Sequence, residues 1–121
     1  MRSYELELNG ETLNLRLASA DCVEIEKKTG KRLLDLIQDY SITTIVMFLK
    51  YMLKANKPNI SDKDAYSIYD QLIDNGYTLK TILTDVIYEG LVVSGFLSKE
   101  ELDEMKAEVT TPEKMKDIVE K

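Results

Sequence analysis

The sequence contains no histidine, no tryptophan and a single cysteine among its 121 residues. Without histidine it lacks the usual general base, the commonest zinc ligand and the side chain that titrates near neutrality. The lone Cys22 cannot close an internal disulfide or build a cysteine-based zinc site. A nucleophilic role would need a base that the chain does not supply, and Cys22 falls on the apolar stripe of a predicted helix, where a small buried thiol is ordinary. Positive charge is also short: 16 Lys+Arg against 22 Asp+Glu leave a net charge of -6. That sign opposes counterion displacement from nucleic acid and docking on an anionic membrane, so neither is expected as a partner. Long apolar runs are missing too. The longest in the central helices is Ile45-Val46-Met47-Phe48-Leu49, far below the roughly 20 residues of a bilayer span. The N-terminus turns charged at once and has no apolar signal core, so a soluble, reducing, cytosolic setting is expected. Gly10, Gly30, Gly76, Gly90 and Gly95 are too scattered to cradle a phosphate.

What is present suits one domain with a real core, since 44% of residues are hydrophobic. Tyr4, Leu6 and Leu8 alternate with Glu5 and Glu7, and Leu13, Leu15 and Leu17 alternate with Asn14 and Arg16. Asn9-Gly10 between them is the pair that best tolerates a type I′ turn. A two-residue loop there pairs Leu8 with Glu11, Leu6 with Leu13 and Tyr4 with Leu15, putting apolar residues on one face. A helix follows, with Ser19 as its predicted cap, Cys22, Val23 and Ile25 as its apolar stripe and Gly30 as its stop. Leu33-Leu34 and Leu36-Ile37 make about two further helical turns.

Three longer helices are predicted next. One carries Ile42, Ile45, Val46, Leu49, Met52 and Leu53 and ends near Asn56 and Pro58. Another opens with a capping box at Ser61 and carries Ala65, Ile68, Tyr69, Leu72 and Ile73. The third starts near Thr78, and Leu79, Ile82, Leu83, Val86, Ile87, Gly90 and Leu91 repeat at helical spacing. Tyr88, Val92 and Val93 fall off that stripe, which makes the helix either central or covered by a partner. Ser98 and Glu101 form a last capping box, with Leu97 and Leu102 spaced as a hydrophobic staple. Thr111-Pro112 opens a further candidate helix carrying Met115, Ile118 and Val119.

The predicted fold is therefore α+β and mainly α: an N-terminal antiparallel β-hairpin followed by a compact bundle of five to six helices. Residues 1–97 form the hairpin and helical body. Residues 98–121 are charged, weakly amphipathic helices, either part of that domain or a mobile tail. The expected core includes Leu6, Leu13, Ile25, Ile45, Leu49, Leu72, Ile82, Leu83, Val86 and Ile87.

Catalytic and metal-binding patterns are weak. Asp62-Lys63-Asp64 lacks the glycine and twelfth-position glutamate of a calcium loop, and helix capping accounts for it. Glu100, Glu101, Asp103 and Glu104 complement a helix N-terminus. Asp70 and Asp74 share a face without further ligands. No cofactor, metal or enzymatic activity is predicted. Lys27-Lys28-Thr29-Gly30-Lys31-Arg32 is either a solvated helix end or a contact for an acidic partner. Seven tyrosines against two Phe point equally to an interface and to the rim of a small core.

The series Tyr4-Glu5-Leu6-Glu7-Leu8-Asn9-Gly10, Leu13-Asn14-Leu15-Arg16-Leu17, Cys22-Val23-Glu24-Ile25-Glu26-Lys27-Lys28-Thr29-Gly30-Lys31 and Val93-Ser94-Gly95-Phe96 resembles the tail assembly chaperones of long-tailed bacteriophages and Gram-positive prophages. The resemblance covers about residues 4–97. It implies a non-enzymatic protein of the host cytoplasm, absent from the finished virion, that binds the tape-measure protein and helps tail tube protein assemble around it. It implies no catalytic residues, and the chain looks like the short form of such a chaperone. A small acidic adaptor or inhibitor of a host protein is the alternative, and an unrecognised enzyme the third class. Homo-oligomerisation is expected from the hairpin edge and the apolar end at Val92-Val93. Tyr88, Val92, Val93, Phe96, Leu102 and Met105 are the candidate partner-binding residues: a helix-accepting groove beside the first four, with the helices from Ser98 onward as its removable cover, or as ordinary packing.

Overall fold

The computed structural model describes residues 2–109. Strands β1 (Tyr4–Leu8) and β2 (Glu11–Leu15) form a two-stranded antiparallel hairpin. Tyr4 pairs with Leu15, Leu6 with Leu13 and Leu8 with Glu11, as the alternation demands. Asn9 and Gly10 take φ values of 51° and 81°, the left-handed pair of a type I′ turn whose twist matches the strands. Leu6, Leu8, Leu13 and Leu15 point inward and are buried.

Six helices follow. Helix α1 is Ser19–Thr29, α2 is Leu33–Ile37, α3 is Ile42–Leu53 and α4 is Asp62–Asp74. Helix α5 runs continuously over residues 79–93, and α6 is Lys99–Val109. The fold is thus the expected α+β hairpin and helix bundle, and all ten expected core residues are buried. The candidate helix carrying Met115, Ile118 and Val119 lies outside the described residues.

Several local expectations are corrected. Ala18 rather than Ser19 caps α1, because the Asp21 carboxylate reaches back to accept from the Ala18 N–H at 3.0 Å. Val23 stays exposed, so α1 buries only Cys22 and Ile25. Ile42 and Ile73 also face solvent, each at an end of its helix. Helix α5 is not α-helical throughout. Leu83–Ile87 is a π turn between α-helical Leu79–Ile82 and Tyr88–Val93. Thr84 Oγ1 donates to the Lys80 carbonyl at 3.1 Å, competing for an acceptor of the regular ladder. A π turn closes from i to i+5 and holds an extra residue, so Leu83, Thr84, Val86, Ile87 and Tyr88 are all buried.

Helix α5 lies against α3 at Gly90. A Cβ built there would sit 2.8 Å from Met52 Sδ, so the absent side chain is what lets the fully buried Met52 cross. The hairpin is fastened to this framework by polar contacts. Asn14 N–H donates to Asn56 Oδ1 at 3.2 Å, and Asn56 Nδ2 donates to the Asn14 carbonyl. One side-chain amide thereby supplies the outer edge of β2 with the pair of bonds a third strand would give. Arg16 N–H donates to the Met52 carbonyl at 3.2 Å, and Leu17 N–H to Ser94 Oγ at 2.9 Å. At the turn, Asn9 Nδ2 donates to Gln71 Oε1 at 2.9 Å and Asn75 Nδ2 to Asn9 Oδ1 at 3.0 Å.

Candidate functional site

Helix α6 begins as its sequence requires. Glu101 N–H donates to Ser98 Oγ at 3.0 Å, and Ser98 N–H to Glu101 Oε1 at 2.9 Å. This reciprocal box fixes the helix start, and Leu97 and Leu102 on either side of it are both buried. Lys106 on α6 meets Glu89 on α5 at 3.4 Å.

The six residues singled out from the sequence do not share one surface. Tyr88 is 0% exposed and Leu102 2%, so both belong to the core and present nothing to a partner. Tyr88 falls off an ideal α-helical stripe, but the π turn just before it leaves room for it inside. Its hydroxyl donates to the Ile37 carbonyl at 3.4 Å. Burial pushes the Tyr88 phenol far up, with Tyr40 and Glu108 adding to the effect. Val92 and Phe96 are half-buried against the core, and Val93 is half-buried as well. Met105 lines an open concavity.

That concavity lies where the sequence reading did not look. Between α2 and α6 a slot of about 300 Å³ is lined by Leu34, Ile37, Leu97 and Met105, with Gln38, Glu101, Glu104 and Glu108 around it. Leu34 is 63% exposed, the most exposed large hydrophobic residue among the described residues. Helix α2 has only five residues and carries leucine or isoleucine on more than one side. Leu36 and Ile37 go inward, which leaves Leu34 outside. Four apolar residues on a five-residue helix were the available signal. A stripe-by-stripe reading passes over it because so short a helix has no measurable period. Helix α6 forms a wall of this slot and also packs against the C-terminal half of α5.

A second slot of about 250 Å³ is lined in part by Lys28, Val46, Met47, Lys50, Asp62 and Tyr66. Lys50 Nζ lies 2.9 Å from Asp62 Oδ1, and this contact holds the Asp62 carboxyl below its ordinary range. The slot's charges are thus largely satisfied within it. Asp64 is likewise lowered by the Ser61 cap, which assigns Asp62-Lys63-Asp64 to helix initiation. Burial pushes the Cys22 thiol up to about 11, with Asp21 and Glu26 contributing, so it remains a protonated core group near neutral pH. Among the described residues no three His, Cys, Asp or Glu side chains converge as metal ligands, and no helix is long and apolar enough to cross a membrane. Tyr40, Tyr51, Tyr69 and Tyr88 are buried and Tyr66 is exposed, so most of these tyrosines pack the interior.

Comparison with family models, with curated proteins and with solved structures finds no match to the chain.

Proposed function

We propose that the chain is a non-enzymatic assembly chaperone of the phage tail type, which binds the tape-measure protein and assists assembly of the major tail tube protein. The observation that carries this reading is the apolar slot between α2 and α6, left open with Leu34 at its mouth. A chaperone for long amphipathic helices needs a preformed apolar surface that a client can occupy and leave. The Asn9-Gly10 hairpin leading into a helical body agrees with the family it resembles. On this reading the protein works in the host cytoplasm, forms homo-oligomers, and is left out of the virion.

Co-expression with the tape-measure protein of the same gene cluster tests the proposal. The expected result is a soluble complex that co-elutes on size exclusion, and loss of that complex in Leu34→Asp. A tape-measure protein equally insoluble with and without this chain would defeat it. The alternative, a small acidic adaptor or inhibitor of a host protein, is favoured by the carboxylates beside the slot and the net charge of -6. Tight 1:1 binding to a basic host protein, without affinity for tape-measure helices, would select it.

A further inference from the structure

The chain holds two Asn-Gly pairs, Asn9-Gly10 and Asn75-Gly76, and the fold brings them together. In such a pair the glycine nitrogen can attack the side-chain amide before it, because no Cβ hinders the approach. Asn9 and Gly10 are both exposed, so solvent reaches the reacting atoms. The turn geometry nevertheless holds them apart. In a type I′ turn the first residue has ψ of about 30°, which sets the Gly10 nitrogen nearly opposite Cβ across the Asn9 Cα–C bond. Attack needs ψ to swing until that nitrogen eclipses Cβ, and the side chain to fold over it. Two bonds to α4 oppose this movement: Asn9 Nδ2 donates to Gln71 Oε1, and Asn9 Oδ1 accepts from Asn75 Nδ2. Both lie in water, so opening them locally costs little. The second pair is held more firmly. Asn75 has ψ of 16°, its Nδ2 also donates to the Gln71 carbonyl at 2.7 Å, and the Gly76 N–H donates to the Ile73 carbonyl at 3.1 Å.

We propose that Asn9 is a site of spontaneous covalent modification, converted to aspartate and isoaspartate through a succinimide with Gly10, and that the Gln71 and Asn75 amides set its rate by clamping the side chain. The Gly10 nitrogen gives its proton to solvent and bonds to Asn9 Cγ. The Cγ–Nδ2 bond breaks, and Nδ2 takes up a proton and leaves as ammonia. Water then opens the ring at either carbonyl. Cleaving the Cγ–N bond leaves aspartate, and cleaving the backbone C–N bond leaves isoaspartate. Water is consumed, ammonia is released, and no oxidant or reductant is needed. Either product loosens the hairpin from α4. A carboxylate only accepts, so Gln71 Oε1 loses its donor, while Gln71 Nε2 is already given to Ser67 Oγ. Isoaspartate also adds a carbon to the main chain of a two-residue loop, which a type I′ turn does not accommodate.

The test holds the full-length protein in mildly alkaline buffer at physiological temperature, folded or in urea, and digests samples with trypsin over time. Cleavage after Arg2 and Arg16 puts Asn9-Gly10 on residues 3–16, and cleavage after Lys63 and Lys80 puts Asn75-Gly76 on residues 64–80. Mass spectrometry follows amide-to-acid conversion in each peptide, and an isoaspartate methyltransferase labels the isoaspartate product. Asn9 is expected to convert at least about tenfold more slowly in the folded protein than in urea. Gln71→Ala should quicken the folded rate roughly threefold to tenfold and leave the rate in urea unchanged, since it removes a contact that only the fold supplies. Asn75→Ala, which removes the other bond, should act in the same direction. Residues 64–80 should stay slow in folded Gln71→Ala. Conversion of Asn9 as fast in the folded protein as in urea would overturn the proposal, as would an unchanged folded rate in both variants. Equal quickening of the two peptides in Gln71→Ala would place the opening in the whole fold and overturn the clamp.

Discussion

At the hairpin, the apolar face, the turn and the Asn14 position on the edge of β2 are each met by another part of the chain. The Leu6, Leu8, Leu13 and Leu15 face is buried, Asn56 holds both backbone groups of Asn14, and Asn9 is tethered to α4. At the α2–α6 region the reverse holds. Leu34 stands out of the surface, and a slot separates two helices that each bury part of their apolar residues in the core. The two regions are built from similar residues, mainly leucine with glutamate alternating or adjacent. They differ in what faces them. A hairpin that is marginal alone must be closed for the fold to exist, whereas a short helix wedged against a finished core can leave one side open at little cost.

The largest expected effect asks whether α5 and α2 differ in energy as they do in burial. Tyr88→Ala should lower stability by about 3–5 kcal/mol by emptying a fully buried site, and Leu34→Ala should stay within about 0.5 kcal/mol. Urea unfolding midpoints decide it, and similar losses at both positions would erase the comparison. Leu102→Ala is next, at about 2–5 kcal/mol. A loss near zero would return α6 to the role of a removable cover. Asn56→Ala should cost about 1–3 kcal/mol by leaving partly buried groups of Asn14 without partners, read in the same assay. A null result there would mean that water closes the β2 edge equally well. The smallest effect near neutrality concerns Cys22. Its folded-state pKa is raised from 9.0 to about 11, so its contribution is whole below about pH 9 and is lost as pH rises through 11. Cys22→Ala should flatten this part of the alkaline stability profile; an unchanged slope would assign the loss to other groups.

Where a residue's neighbours are set by local period, the sequence was legible. The hairpin register followed from the alternation and Asn9-Gly10, and the α6 start followed from Ser98, Glu101, Leu97 and Leu102. Legibility ended where period ends. The π turn at Leu83–Ile87 depends on Thr84 bonding to Lys80, and nothing in an α-helical count announces it. Tyr88 was therefore placed on a partner surface when it is core. The candidate site suffered most. Of its six residues only Met105 lines the slot, because the slot is made by tertiary juxtaposition of α2 and α6. Leu34, the residue at its mouth, looked in sequence like one more apolar residue of a short segment.

The Asn56 clasp also bears on the order in which the chain assembles. A hairpin with an Asn-Gly turn closes within about 1–10 μs, using contacts only a few residues apart. The bonds that seal it come from Asn56, 42 residues beyond Asn14, and from Ser94, 77 residues beyond Leu17. Both must wait for α3 and α5 to be in place, since closing long loops carries an entropic cost that nearby contacts avoid. Early formation and late locking of the same hairpin separate the two rates. Asn56→Ala should quicken unfolding while leaving refolding nearly untouched in stopped-flow measurements, so the clasp acts as a latch on the native lifetime.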